Sequence, residues 1–303
     1  MTIIRQPGKI NENTTLIDVE WMRVPGILSM YLIESEESGK KCLIDGGTAT
    51  EARRLFKQLE NLDAFPPDMI IITHSHFDHT QAIPSFLKKA KKLGKEIEIM
   101  ASKKAIPFLE DQSYNEIYGP FGPFKNIENV IPLREGDIIN LGEISLEIFD
   151  IPGHALDHIA IFDEKNKNVF VGDGIVSSID NNLILPPIVP PHWDTNAYLS
   201  SLDKIKKINY NSMSIAHFGH IINSEAKDVL DQVLTVFNKL WNIFEENIDN
   251  LEDSSYMLDI IMKEIITPQY GKIDTSTFSA SENALLQSVL DWYIQGFKMS
   301  KAI

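Results

Sequence analysis

Up to Ile222 the chain alternates short apolar runs with apolar stripes of helical period. Thr15 to Val19, Ile27 to Glu34 and Cys42 to Asp45 read as strands, the last two joined by a hairpin connection at Glu36 to Lys40. Ala52, Leu55, Phe56 and Leu59 recur at helical spacing and predict a core-facing helix over Ala49 to Asn61. Ile70-Ile71-Ile72 shows no polar alternation, the pattern of a strand buried on both faces. A helix over Gln81 to Lys92 and a strand over Glu96 to Met100 follow. Ile144 to Phe149, Ile159 to Phe162, Val169 to Val171 and Ser212 to Ala216 predict further strands. Between the last two, Ala197 to Ile208 predicts a helix with Leu199, Leu202 and Ile205 on one face. Strands and helices alternating in this way indicate an α/β class, mixed sheets covered by helices.

From about residue 223 the pattern becomes purely helical. Asn223-Ser224 offers a cap, and Val229, Val233, Phe237, Leu240 and Phe244 form one stripe. Tyr256 to Ile266 predicts a second helix, stopped near Pro268. Ser279-Ala280-Ser281-Glu282 fits a capping box for a third helix over Asn283 to Lys298. The expected division is a mixed domain at 1–222 and an all-helical C-terminal domain at 223–303. Its large apolar residues either cover a sheet face of their own chain or form a shared interface in a homodimer. Residues 101–130 follow neither pattern. Tyr114, Tyr118 and the run from Gly119 to Phe124 read as an ordered loop, packed on the surface or closing over a site.

The isoleucine run ends in the densest chemistry of the sequence, Thr73-His74-Ser75-His76-Phe77-Asp78-His79. Three of the chain's eight histidines fall in these few residues, a density that an accidental polar loop does not explain. His74 and His76 are two apart and project the same way from an extended strand end. Asp78 and His79 come where the chain turns into the next helix. Such a set of imidazoles and carboxylate suits a divalent cation, zinc above all and manganese or iron next. Asp45, ahead of Gly46-Gly47, reads either as a turn carboxylate or as an acceptor that orients a metal-bound histidine.

Composition narrows the partners. With 303 residues the chain can bury a large core, and 28 basic against 43 acidic residues give a net charge of −15. That surface repels phosphate backbones, so nucleic acid is not an expected partner. Lys88, Lys89, Lys91, Lys92 and Lys95 read as a solvated helix face near a helix C-terminus. The single cysteine, Cys42, excludes an internal disulfide and reads as a small buried hydrophobe. Met1 to Pro7 lacks the apolar core of a signal peptide, and no run approaches the ~18 apolar residues of a membrane helix. The expectation is a soluble, cytoplasmic protein acting on a small molecule, with no membrane partner.

His-x-His-x-Asp-His after a hydrophobic strand resembles the motif of the metallo-β-lactamase superfamily, and four further elements match in order. They are Leu43-Ile44-Asp45-Gly46-Gly47, Ile151-Pro152-Gly153-His154-Ala155, Val169-Phe170-Val171-Gly172-Asp173-Gly174 and Ile215-Ala216-His217-Phe218-Gly219. The resemblance, over residues 14–222, implies a four-layered αββα sandwich with an all-helical C-terminal domain. It also implies two divalent metal ions at one edge, where strand ends of both halves meet. His74, His76 and His154 would hold the first, Asp78, His79 and His217 the second, with Asp173 bridging. His220 competes with His217 but does not occupy the His-Phe-Gly position. His158 is expected to support a ligand rather than to be one, and His192, after Pro190-Pro191, to belong to a surface loop.

The implied reaction is hydrolysis of an ester, thioester or lactone by a hydroxide shared between the metals, with Asp78 assisting proton transfer. The alternative is an iron-dependent oxidoreductase on the same fold. Flavodiiron members typically carry glutamate where this chain has His76, which lowers that assignment, whereas persulfide dioxygenases keep the full motif with one iron. A metal-stabilised regulatory protein without turnover is a third reading. An exported β-lactamase and a nuclease are not expected, given the N-terminus and the acidic balance.

Overall fold

The computed structural model describes residues 3–178, 183–271 and 280–301. Alternation within its strands decides the layering. In Met69–Ile72, Met69 and Ile71 face one apolar cluster while Ile70 and Ile72 face another. In Asn168–Gly172, Phe170 enters that first cluster, while Val169 and Val171 enter a third. The shared cluster is therefore the filling between two sheets, and the other two lie on their outer faces.

Among the described residues each of these two sheets has seven strands, and Ser177–Ser178 pairs with Ile184–Leu185 apart from both. The first runs in the order Gly8–Lys9, Thr14–Asp18, Ser29–Glu34, Lys41–Ile44, Met69–Ile72, Glu98–Ser102, Ile131–Leu133. Its early strands pair antiparallel, and from Lys41–Ile44 onward the pairing is parallel. The second runs Ile3–Ile4, Gly219–Ile222, Ser212–Ile215, Asn168–Gly172, Ile159–Asp163, Ser145–Asp150, Ile138–Asn140. Helices Ala52–Asn61 and Ile83–Lys92 cover the first sheet through Leu55, Phe56, Leu59 and Phe86. Helices Thr195–Lys207 and Glu225–Glu246 cover the second through Tyr198, Leu202, Val229 and Val233. The layers are αββα, as the family resemblance implies.

The C-terminal helices join the cluster on the second sheet's outer face. Phe297, in helix Ala280–Lys301, packs against Trp241 and Phe244 with ring centroids 5.2 and 5.3 Å apart. A Cβ on Gly296 would lie 2.3 Å from Ile188, so the helix crosses close over the proline-rich linker. Tyr293 donates a hydrogen bond to the Pro186 carbonyl at 2.8 Å. Among the described residues no helix is long and apolar enough to cross a membrane.

Several local expectations change. The helix expected over Gln81 to Lys92 runs from Ile83 to Lys92, with Pro84 in its first turn, where its missing N–H is harmless, and a separate helical turn, Phe77–Thr80, precedes it. Pro268 does not stop its helix. Ser254–Ile261 passes through a π turn at Met262–Ile266 into a last turn Thr267–Tyr270, and Pro268 opens that turn. Ser224 makes no side-chain cap bond, whereas Asp194 and Asp253 cap their helices by accepting from Ala197 and Tyr256 N–H groups. The capping box begins at Ser279, outside the described residues. Gly219–Ile222 is a strand the sequence reading does not anticipate, paired antiparallel with Ser212–Ile215.

Candidate metal centre

Strand ends of both sheets converge on one buried cluster. Strand Met69–Ile72 leads directly into Thr73 and His74, and the Asp45 carboxylate holds that exit. One Asp45 oxygen accepts from the Thr73 backbone N–H at 2.8 Å. The other lies 2.8 Å from His79 Nδ1, so the turn carboxylate also orients an imidazole. His154 follows Gly153, and its Nδ1 faces the Pro187 carbonyl at 2.7 Å. Asp173 continues from Asn168–Gly172, and His217 follows Ser212–Ile215 with Nδ1 2.9 Å from the Ile27 carbonyl.

These anchors aim the opposite ring nitrogens of His79, His154 and His217 inward. His74 Nε2, His76 Nδ1 and His154 Nε2 are mutually 3.0–3.2 Å apart. Bonds of 2.0–2.1 Å to one tetrahedral ion would set ligand nitrogens about 3.3 Å apart, so the triangle is close to one face of such a site. The second group comprises Asp78, His79, Asp173 and His217. His217 Nε2 is 3.2 Å from both Asp78 Oδ2 and Asp173 Oδ2, and His79 Nε2 is 3.2 Å from Asp173 Oδ2. That same Asp173 oxygen is 3.8 Å from His154 Nε2 and 4.0 Å from His74 Nε2.

Charge follows the same division. Burial, reinforced by neighbouring histidines, holds His74 and His76 well below the usual imidazole range, so their lone pairs are free. Burial also opposes charge on His79 and His217, but carboxylates outweigh it. Asp45, Asp78 and Asp173 hold His79 well above its ordinary value, and Asp173 with Asp78 raises His217 to about 10. Asp173 stays well below the carboxylate range despite burial, because His217 and His79 lie against it. The two carboxylates thus demand positive charge at one point. A divalent cation there would meet the demand while leaving both imidazoles neutral. Asp173 Oδ1 is buried without a hydrogen-bond partner, so it remains available as a further ligand atom. The donor set fits two metal ions.

All seven predicted site residues come together in these two groups. His220 lies apart, its Nδ1 3.0 Å from Ser214 Oγ. His158 stacks on His74 with centroids 4.6 Å apart and accepts from the Asp173 backbone N–H at 3.1 Å. His192 is half-buried against Phe108 and Tyr114. Trp21, which no motif singles out, stands with its ring 6.4 Å from that of His217. A lone tryptophan after a strand carries no chemical pattern, and only its exposed apolar neighbours Met22 and Val24 hint at a rim. The loop expected over 101–130 contains Ile106–Glu110 and 3-10 turns at Gln112–Phe121, and it places Tyr118 and Phe121 beside the cluster. His217→Ala is expected to lower metal content by about one equivalent, whereas His220→Ala keeps the full complement. Elemental analysis of the two purified variants checks this, and the reverse pattern would reassign the ligand.

A family model described as the metallo-beta-lactamase superfamily matches residues 23–217. A hydroxyacylglutathione hydrolase from Bradyrhizobium sp. is 25% identical over 173 residues, and the match spans 57% of this chain and 57% of that protein's length. An archaeal metallo-beta-lactamase superfamily protein from Sulfolobus tokodaii superposes with a TM-score of 0.59 at 18% identity, over 91% of this chain and 94% of the other. TTHA1623, solved in a di-iron-bound form, superposes with a TM-score of 0.52 at 23% identity, over 64% of this chain and 89% of the other.

Proposed function

Because the chain belongs to the metallo-β-lactamase superfamily, we propose that it is a metal-dependent hydrolase of an acyl compound, a thioester first and an ester or lactone next. The observation that carries this reading is the position of Asp173 Oδ2, 3.2 Å from nitrogens of one histidine pair and 3.8–4.0 Å from those of another. A pair of cations bound at such a cluster supplies an activated water and polarises a carbonyl. His74, His76 and His154 would hold one ion, Asp78, His79 and His217 the other, with Asp173 shared. The chain's own part is to keep these donors oriented through Asp45, Pro187 and Ile27. The Asp78 carboxylate, facing His217, is assigned the proton that leaves the attacking water. The thioester preference draws on the hydroxyacylglutathione hydrolase among the relatives.

Zinc is the first choice of metal, and the di-iron form of one structural relative favours iron as the second. The test is a panel of thioesters, esters and lactones, assayed before and after chelation and again with zinc, manganese or iron restored. The expected result is about two metal equivalents per chain, with activity abolished by chelation and returned by at least one metal. Fully metal-loaded protein that hydrolyses no acyl compound, or that instead consumes oxygen on persulfides, overturns the hydrolase reading.

A further inference from the structure

Access to the metal cluster is one-sided, and what stands at the opening is apolar. The His217 side chain is 23% exposed, against 10% for Asp78, 5% for Asp173 and none for His79. Beside it Trp21 begins a continuous run of rings. Trp21 lies 5.5 Å from Phe121 and 5.9 Å from Phe77, and Phe77 stacks on Phe121 at 5.1 Å. Phe77 continues to Tyr118 at 5.2 Å, and Tyr118 meets His76 edge-on at 5.8 Å. The run therefore links a residue of one donor group to a residue of the other; Phe77 and Tyr118 within it are buried, 5% and 6% exposed, so Trp21 and Phe121 are its accessible rings.

Next to Trp21 the chain exposes Met22 and Val24, 63% and 46% accessible. Met22 and Arg23 hold left-handed backbone, with φ of 55° and 64°. Non-glycine residues seldom adopt such conformations. Neither the hydrophobic clusters nor the metal donors use these two exposed apolar side chains, so burial in the core does not account for them. Of the cations near this turn, Arg54 is paired with Glu20 at 2.8 Å, and Arg23 stands exposed between Met22 and Val24. With a net charge of −15, an uncharged apolar group is the part of a substrate this rim receives best.

We propose that the wall whose accessible rings are Trp21 and Phe121 binds an apolar acyl group, medium-chain or aromatic, with its carbonyl at the metal cluster. This rests on the hydrolase reading of the same site. Each CH₂ that the wall buries strengthens binding about fourfold, at ~0.8 kcal/mol per methylene.

The test uses zinc-loaded protein and two chelating acyl mimics, acetohydroxamate and octanohydroxamate, with affinities measured by titration calorimetry. Octanohydroxamate is expected to bind at least about tenfold more tightly, the effect of two or more buried methylenes. Trp21→Ala and Phe121→Ala are each expected to cut that ratio severalfold, and Arg23→Ala to leave it unchanged, with melting curves verifying that each variant folds. Equal affinity for the two mimics, or an unchanged ratio in both wall variants, overturns the proposal. So does tighter binding of succinyl hydroxamate that depends on Arg23. A chain-length preference in a protein that hydrolyses no acyl compound removes the hydrolase reading and leaves the wall. Hydrolysis without that preference does the reverse.

Discussion

Asp173→Ala is expected to lose at least one metal equivalent and to lower hydrolysis by roughly a thousandfold or more while the protein still folds. Removing a residue that merely orients a ligand typically weakens metal binding 10- to 100-fold, and a shared ligand should exceed that. One Asp173 oxygen lies within 3.2 Å of His79 and His217 and within 4.0 Å of His74 and His154, so its loss reaches both donor groups. His79 keeps Asp45 on its outer nitrogen, but nothing replaces the anion between the groups. The turn itself survives, because the His158 ring holds the Asp173 backbone N–H and not its side chain. Val169 and Val171 remain packed in the cluster on the sheet's outer face. Elemental analysis and circular dichroism of the same preparation decide the matter, and full occupancy in the variant would sink the bridging assignment.

Gly153→Ala should be the most damaging conservative change outside the donors, costing about 3–5 kcal/mol of stability. Gly153 has a φ of 146°, in the region that favours glycine. An added Cβ would stand 2.5 Å from Tyr198 Cα and 2.7 Å from Tyr198 N. These are backbone atoms of helix Thr195–Lys207, which is itself tied to the turn. The Asp194 N–H donates to the Gly153 carbonyl at 2.9 Å, and Ser201 Oγ donates to the Pro152 carbonyl at 2.7 Å. The helix and the turn must part, and His154 moves with the turn. Gly136 supplies the control, since it also has positive φ, 84°, but a Cβ there meets nothing within 4 Å. Gly136→Ala is expected to cost about 1 kcal/mol, the conformational penalty alone. Denaturant midpoints of the two variants separate contact from conformation, and equal losses would show that the helix gives way freely.

Short-range pattern made the strands, the helices and the His74–His79 motif readable from sequence, and the family resemblance supplied the four layers and the remaining donors. Ile70, Ile71 and Ile72 carry no polar residue, and the structure indeed buries both faces of their strand between two apolar clusters. In His74, His76, Asp78 and His79 type and spacing alone indicate a metal, whereas His154, Asp173 and His217 are single residues at strand ends that only the resemblance marks as donors. Long-range pairing left no such mark. Ile3–Ile4 joins the second sheet only by lying beside Gly219–Ile222, some two hundred residues away in sequence. Gly219–Ile222 was hidden because its turn contains His217, which draws attention as chemistry rather than as a hairpin. The role of His158 depends on Gly172 and Gly174, where a Cβ would lie 2.9 and 3.1 Å from its ring. That close approach is a property of packing and not of a motif. The Trp21 rim is likewise assembled from segments a hundred residues apart.

Each donor group takes members from both sheets, and this has a meaning for chain entropy. His74 and His154 are 80 residues apart, His79 and Asp173 94, and Asp78 and His217 139. A cation held by such residues closes loops of those sizes, and the entropic weight of a loop grows only with the logarithm of its length. Going from 80 to 139 residues adds about 0.5 kcal/mol, so the ties are nearly equal in strength. None lies within a single sheet. Their combined effect is to clamp one half of the polypeptide to the other at a single edge, so that removing the ions loosens the seam between the halves before it loosens either half.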